Sequence, residues 1–481
     1  MLTAASLLPS LRAQPGGRPK NVLLMMSDQH KPGALGASGD PVARTPHLDA
    51  LARTATRFSN CYCSNPVCTP SRASLLTGLY THHHGAVNNT TPWAFEHKTL
   101  AHMFGGAGYM SALVGKMHFV DAQTHGFDYH VDFNDWYQFL GPKTKLYAEE
   151  LGRPNSGSGL PEVDDFWRDF GDPWKDAREA DDRKGSVAVG RVSKIPEEQQ
   201  FDAFVARESI RFLKQHSRQQ PFFLVTSFLR PHDPFMPSQR FSDMFRPEDM
   251  KLPATYGKVD LSSVPQEIRR TIERDAPTPE LGDPEQAKRR IAYYYANLAQ
   301  MDDNAGKVLG ALRELNLEND TIVLYTSDHG EMLGEHKLWN KFVFYESSVR
   351  VPLLVRVPGL PAGSESRTPV SNVDIAPTLG DLTGLRAPNQ TDGHSFAADL
   401  REPGKVRDTT VYSEYNLGNQ RAKYMIRRGD WKYNFYTHDI AELYNLREDP
   451  EEMRNLAARP EFRGKVEELK GQMLAWYRPP E

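Results

Sequence analysis

Cysteine is scarce in this chain. Cys61, Cys63 and Cys68 are the only three, and all fall within eight positions. Such clustering excludes a disulfide framework spanning the fold. Cys61 and Cys63 stand too close to pair comfortably, so their plain reading is small buried side chains on or beside a strand. An excess of one charge sign is also lacking: 58 basic and 62 acidic residues are interspersed and leave a formal net charge of −4. Nothing in this balance predicts a nucleic-acid-binding face. Long apolar runs are missing too, since none reaches the roughly 20 residues that a transmembrane helix needs. There is no internal repeat and no low-complexity tract. At 481 residues the chain can bury a large core, and one large domain with a smaller one is expected.

The start, "MLTAASLLPSLRAQPGG", has a short apolar run followed by "RAQ", which reads as the tail of an export signal although a basic n-region is absent. Residues 1–18 are assigned to a signal remnant or a disordered start. A periplasmic or secreted location is expected ahead of a cytoplasmic one.

What is present is a repeated layout. The apolar runs "NVLLMM" (21–26), "YMSALV" (109–114), "PFFLVTSF" (221–228) and "TIVLYT" (321–326) have strand length and no polar alternation. Each leads straight into a polar cluster. The first is followed by Asp28, Gln29 and His30, the second by Lys116 and His118, the third by Arg230, His232 and Asp233, and the fourth by Asp328 and His329. Strands that are apolar throughout, separated by helical segments such as 301–320 with Met301, Val308, Leu312 and Leu315 near helical spacing, predict a mostly parallel sheet covered on both faces. In such α/β sheets ligands collect beyond the carboxyl ends of the strands, so the four clusters are expected to converge.

Residues 141–200 and 250–285, polar and rich in Gly, Pro and charge, read as long excursions from the sheet. After 373–385 the segments 410–415, 423–436 and 441–446 and an amphipathic helix near 461–477 predict a small α+β subdomain with an antiparallel sheet. The expected limits are 19–390 for the larger domain and 391–481 for the C-terminal subdomain.

Taken singly, each cluster has an ordinary reading. Asp28 suits a cap or turn, and Asp328-His329 suits a turn with a solvated imidazole. Lys116 and Lys341 read as surface lysines, His118 as a core histidine and His232, between prolines, as a residue facing water. Together they read differently. Carboxylates at two strand ends, one with an adjacent His, suit a hard or borderline divalent cation. Lys116 and His118, two apart, point to one side of an extended segment and, with Arg, suit a tetrahedral oxyanion. Cys68 opens a helix-like run with Pro70 in its first turn and Gly78 at its end. There it reads either as a thiolate nucleophile or, with Arg72 one turn on, as part of an anion site.

The string "CTPSR" (68–72) followed by "ASLLTG" closely resembles the signature of type I sulfatases of the alkaline phosphatase superfamily, in which the cysteine is oxidised to Cα-formylglycine. "MSDQH", "TPHLDALA", "GKMHF", "PHDPF" and "SDHGEMLGEHKLWNK" stand in the family's order, and "ELYNLREDPEEMRNLA" (442–457) is similar to its C-terminal part. Any one of these strings is weak, while six in register are specific. The resemblance implies an alkaline-phosphatase-like α/β/α fold and a hydrolase of sulfate esters. It implies a divalent cation held by Asp28, Gln29, Cys68, Asp328 and His329. Arg72 and Lys116 would stabilise the formylglycine hydrate, His118 would be the base for sulfate elimination, and His232 and Lys341 would bind the sulfate. In that chemistry one hydroxyl of the hydrated aldehyde attacks sulfur and the other later expels sulfate. A maturation enzyme in the host would make the aldehyde.

Many family members carry Asp-Asp and Asp-Asn where this chain has Asp28-Gln29 and Asp328-His329. These choices resemble those of phosphonate monoester hydrolases and choline-sulfatase-like members, and "LGEHKLWNK" is similar to uronate-2-sulfatases. Ca2+ is the first expectation for the metal, with Mn2+ or Mg2+ as competitors. A phosphonate monoester or phosphodiester hydrolase using the same site is the alternative activity. An inactive binding relative is a third reading, which the filled motif positions disfavour. The substrate is expected to be a carbohydrate or other small organic ester, with neither nucleic acid nor membrane as partner. His84, Trp93, His336, Trp339 and Tyr345 are candidates for the leaving-group pocket, with aromatic packing as their ordinary role.

Overall fold

A computed structural model describes residues 21–93, 96–119, 123–147, 189–216, 220–275 and 282–479. The predicted N-terminal signal segment and most of the 141–200 excursion lie outside the described residues.

The four apolar runs form strands β1 (Asn21–Asp28), β3 (Met110–Gly115), β5 (Phe222–Pro231) and β6 (Thr321–Ser327). They lie side by side in the order β3-β5-β1-β6 and are mutually parallel. The sheet is completed by β2 (Thr56–Tyr62), β4 (Tyr129–Val131), β7 (Arg350–Arg356), β8 (Ser364–Ser366) and β9 (Val370–Ser371). Its order is β4-β3-β5-β1-β6-β7-β2-β8, with β9 also on β2, and β7 runs antiparallel to both of its neighbours.

The absence of alternation in the four runs follows from burial on both faces. Leu23 and Met25 of β1 face one layer, where the helices Phe201–His216 and Pro284–Glu314 pack through Val205, Phe212, Leu298 and Met301. Val22, Leu24 and Met26 face the other, with Ala73 and Leu76 of the Cys68–Thr77 helix, Phe104 of Leu100–Gly105, and Leu379 of Ile375–Thr383. Each of these buried side chains other than Ala73 contributes about 1.5–3 kcal/mol. The result is an α/β/α sandwich, as expected.

The helix predicted over 301–320 starts earlier and stops sooner. Asp283 caps it by accepting from the Glu285 N–H, Pro284 takes the first position, and it ends at Glu314 before the left-handed Asn316. The excursion read over 250–285 also holds structure that its polarity concealed. A helix at Gln266–Asp275 buries Ile268 and Ile272 against Met332, Leu338, Tyr345 and Tyr436. Only one apolar edge is needed there, so mean polarity was a poor guide.

The C-terminal strands β10 (Thr410–Tyr415), β11 (Lys423–Arg428), β12 (Trp431–Tyr436) and β13 (Glu442–Asn445) form the expected antiparallel sheet in sequential order. The Arg463–Trp476 helix packs on it through Leu469 and Met473.

Register brings the strand ends level. Ser227 pairs with both Met26 and Gly115, and Ser27 pairs with Ser327. The four polar clusters therefore leave the sheet in one row. Gly115 is needed at this edge. It has φ +107°, and a Cβ there would lie 2.0 Å from the Ser227 carbonyl oxygen. Gly115→Ala should therefore destabilise the fold by at least ~2 kcal/mol, from left-handed strain and the backbone clash together. A denaturant midpoint equal to the parent's would contradict that assignment.

Candidate active site

The row of strand ends faces the N-terminus of the Cys68–Thr77 helix, which begins at Cys68 and closes at a left-handed Gly78. Cys68, Asp28, Asp328 and His329 offer ligand atoms that all lie within 4.8 Å of one another, and all four residues are buried. Two carboxylates, an imidazole and the Cys68 position together make a donor set that fits a divalent cation.

Each carboxylate is divided between two tasks. The outer oxygens are neutralised. Arg72, fully buried, donates from Nε to Asp328 Oδ2 at 2.8 Å and from a terminal nitrogen to Asp28 Oδ2 at 3.0 Å. Its other terminal nitrogen donates to the Lys116 carbonyl and, at 2.9 Å, to Ser227 Oγ. Lys116 Nζ lies 2.6 Å from the same Asp28 Oδ2. The inner oxygens turn toward the cluster: Asp28 Oδ1 lies 3.9 Å from Cys68 Sγ and 3.7 Å from His329 Nε2, which is also 3.7 Å from Asp328 Oδ1. Backbone N–H groups of Gln29 and His329 donate to Asp328 Oδ1 at 3.1 and 3.0 Å.

Around Cys68 Sγ stand His329 Nε2 at 3.3 Å, Lys341 Nζ at 3.7 Å and Lys116 Nζ at 3.9 Å, with the His118 imidazole hydrogen-bonded to it. Lys341 donates to Gln29 Oε1 at 2.7 Å and lies 2.8 Å from His232 Nε2. The fold thus collects Asp28, Gln29, Cys68, Arg72, Lys116, His118, His232, Asp328, His329 and Lys341 in one place. Every nitrogen of the Arg72 guanidinium is taken by protein acceptors, two by the buried carboxylates and the third by the Lys116 carbonyl and Ser227 Oγ.

Electrostatics follows from this crowding. Burial raises the Cys68 thiol, but Lys116, Lys341, His329 and the His118 bond outweigh it and hold it well below the usual thiol range. Burial and the neighbouring Cys68 raise the Asp28 carboxyl, yet Lys116, His232 and Arg72 bring it far below the carboxylate range. His118 is pushed down by burial. Burial disfavours the charged forms of His329 and Lys341, but Asp328 raises the first and Cys68 with Asp28 the second.

The sulfatase family model matches residues 20–385. The chain belongs to the sulfatase family. A second model, for the C-terminal part of N-sulphoglucosamine sulphohydrolase, matches residues 334–478 of this sulfatase. It is 33% identical to a choline-sulfatase of Rhizobium meliloti over 94% of its own length and 84% of the relative's. It is 27% identical to an N-acetylglucosamine-6-O-sulfatase of Bacteroides thetaiotaomicron, covering 93% and 84%. Among solved structures, the phosphonate monoester hydrolase of Agrobacterium radiobacter superposes with a TM-score of 0.77 at 25% identity, covering 95% of both chains.

The residues proposed for a leaving-group pocket are occupied otherwise in this sulfatase. His84 Nε2 meets Ser74 Oγ at 3.0 Å, and Trp93 packs on Phe119 and His125. His336 stacks on Tyr345 with ring centroids 4.2 Å apart, Tyr345 donates to Glu442, and Trp339 lies beside Arg290. They serve packing, the role ordinarily expected of them. Two polar residues at the site escaped sequence reasoning as participants: Ser227 and Glu331. Asp233 was named in the third strand-end cluster but given no role, and Glu331 sits inside a string already singled out, "SDHGEMLGEH", which was its only signal.

Arg72→Met would leave two buried carboxylates without their bridging cation, a change that costs about 3–5 kcal/mol. Denaturant unfolding in the presence of a chelator should show a loss of that size, and an unchanged midpoint would remove Arg72 from this structural role. His84 gives a pH-dependent expectation. Burial lowers its pKa from 6.5 to about 3. Its folded form stays neutral while the unfolded chain takes up a proton below pH 6.5, so stability is complete above that pH and falls as pH drops toward 3. His84→Gln should flatten this acid limb; stability curves of the two proteins that run parallel from pH 7 to about 4 would contradict the assignment.

Proposed function

We propose that this enzyme hydrolyses an O-sulfate ester of a carbohydrate or other small organic molecule to the alcohol and inorganic sulfate. The observation that carries the reading is the gathering of Asp28, Asp328, His329 and Cys68 beneath Lys116, Lys341, His118 and His232. A tetrahedral anion placed over Cys68 would meet cationic donors on its open side and a buried anionic donor set behind.

In this reading Cys68 is converted by a maturation enzyme to Cα-formylglycine, whose hydrate supplies the attacking oxygen. Asp28, Asp328, His329 and the modified residue 68 would hold a divalent cation, with the Gln29 amide oxygen close by; Ca2+ is the first candidate, ahead of Mn2+ and Mg2+. When bound, that cation would lower the pKa of the attacking hydroxyl and balance charge on the sulfate oxygens. Arg72 keeps the two carboxylates apart and aligned. Lys116 neutralises Asp28 and faces the nucleophile. His118, kept neutral by burial and bonded to residue 68, accepts the proton that releases sulfate from the second hydroxyl. Lys341 and His232 bind sulfate, and one of them protonates the leaving oxygen. Kinship with choline- and N-acetylglucosamine-6-O-sulfatases supports a small organic or carbohydrate ester. The reading of residues 1–18 supports a periplasmic or secreted location. We propose residues 19–390 as the catalytic domain and 391–481 as its C-terminal subdomain.

One observation favours a second activity on the same site. The phosphonate monoester hydrolase superposes over nearly its whole length, and both reactions leave a tetrahedral anion. The deciding experiment compares kcat/KM for paired aryl sulfates and aryl phosphonate monoesters, using protein co-expressed with a maturation enzyme and checked by mass spectrometry for conversion of Cys68. Sulfate esters should be preferred, and Cys68→Ala should lower turnover at least ~1,000-fold. Preference for the phosphonate would overturn the sulfatase assignment. Full turnover by Cys68→Ala would overturn the nucleophile.

A further inference from the structure

The loop from Glu331 to Phe342 carries Lys341 into the site on a backbone that few loops adopt. Leu333, His336, Lys337, Asn340 and Phe342 all have φ between 50° and 82°. The left-handed region costs a non-glycine residue about 1–2 kcal/mol, so such a run persists only where other contacts hold it.

Glu331 supplies those contacts from within. Its side chain is buried, and Oε1 accepts from the Leu333 N–H at 2.8 Å and the Asn340 N–H at 2.7 Å. Two of the left-handed residues, near opposite ends of the loop, thus hang from one oxygen. The other oxygen, Oε2, accepts from Gln29 Nε2, beside Asp28 at the end of β1.

A carboxylate without a proton can only accept. Gln29 therefore turns its NH2 to Glu331, with Asp233 Oδ1 as a second acceptor at 3.3 Å. Its carbonyl oxygen is left facing the Lys341 ammonium at 2.7 Å. The reversed amide would set oxygen against two carboxylates and NH2 against an ammonium. Lys341 donates onward to His232 Nε2, while His232 Nδ1 faces the Asp233 carbonyl and so carries the ring proton. Donor direction is consistent along the whole chain, starting at Glu331.

We infer that Glu331 is a positioning residue for the reaction: it fixes the amide orientation of Gln29 and the loop that carries Lys341, and through them the alignment of Lys341 and His232 over Cys68. The inference rests on the hydrolase reading only for the identity of the anion that Lys341 and His232 face.

A double-mutant cycle tests it. Glu331→Gln keeps the size and still accepts from Leu333 and Asn340, but sets NH2 against the NH2 of Gln29. Gln29→Glu creates the opposite fault, two carboxylates in contact. Combined, Gln29→Glu with Glu331→Gln restores a donor facing an acceptor at this contact and leaves the pair's net charge unchanged, while Asp233 Oδ1 still meets a carboxylate, so the recovery is partial. Melting temperature is measured for all four proteins, as are kcat and KM on whichever ester the parent turns over best. Each single change should lower kcat/KM about tenfold or more, chiefly in kcat, and lower the melting temperature; the double variant should recover at least about tenfold over the worse single.

Additive losses in both readouts would overturn the inference, as would Glu331→Gln with kcat/KM within about twofold of the parent. Recovery of melting temperature without recovery of kcat/KM would reduce Glu331 to a structural residue and equally overturn it. A parent that prefers phosphonates defeats the sulfatase assignment while the cycle still decides Glu331. A parent that turns over neither ester overturns the hydrolase reading and, with it, the positioning role; the melting temperatures then report only whether the contact is structural.

Discussion

Two carboxylates, Asp28 and Asp328, are brought together in a buried site, and the Arg72 guanidinium between them is the contact on which the arrangement depends. Uncompensated, two such charges would cost several kcal/mol each in desolvation, beyond their mutual repulsion. The guanidinium binds the outer oxygen of each in its planar fork and leaves the inner oxygens turned toward Cys68 and His329. Lysine could not do this, because its ammonium is a point charge without that geometry. Arg72 is placed by a helix whose first residue is Cys68, so the same turn that presents Cys68 also holds the carboxylates behind it.

From that core outward, the site is built in shells of alternating charge. The carboxylates are ringed by Arg72 and Lys116, and Cys68 is met by Lys116, Lys341 and His329. Lys341 in turn is held by Gln29 and His232, and Gln29 by Glu331 and Asp233. Such a pattern lets many ionisable groups share a buried site, since Asp28 and Asp328 each have a cation at contact distance and Lys341 and Glu331 are held by hydrogen bonds. The donors that face Cys68 from outside this core, Lys116 and Lys341, are cationic.

The residues around the cluster show how strain is distributed. The loop that delivers Lys341 follows left-handed backbone at five non-glycine positions, and Gln29 and His118 share that conformation. These residues cluster where side chains must leave the strand direction and turn inward. The sheet, by contrast, is regular through the apolar parts of the strands. Its rigidity, supplied by side chains packed on both faces, allows the strand ends to hold an irregular rim.

Much was legible in the chain itself. The four apolar runs announce central strands because burial on both faces removes polar alternation, and the polar clusters after them mark the carboxyl edge where ligands gather. Local chemistry also determined the helix that opens at Cys68, with Pro70 in its first turn and Gly78 at its end, and the motif order around it identified the family. Other features had no local signature. The Gln266–Asp275 helix is hidden in a polar stretch because it buries only one edge. Arg72 looked available for an anion until the fold set Asp28 and Asp328, 300 residues apart, on either side of it. The direction of the Gln29 amide and the place of Glu331 depend on which donors and acceptors meet across the site. The sequence by itself determined the element types and the inventory of charges. Only the tertiary structure decided which charges pair, because hydrogen bonds and ion pairs act over a few ångströms, and those distances exist only after the strand ends have been aligned.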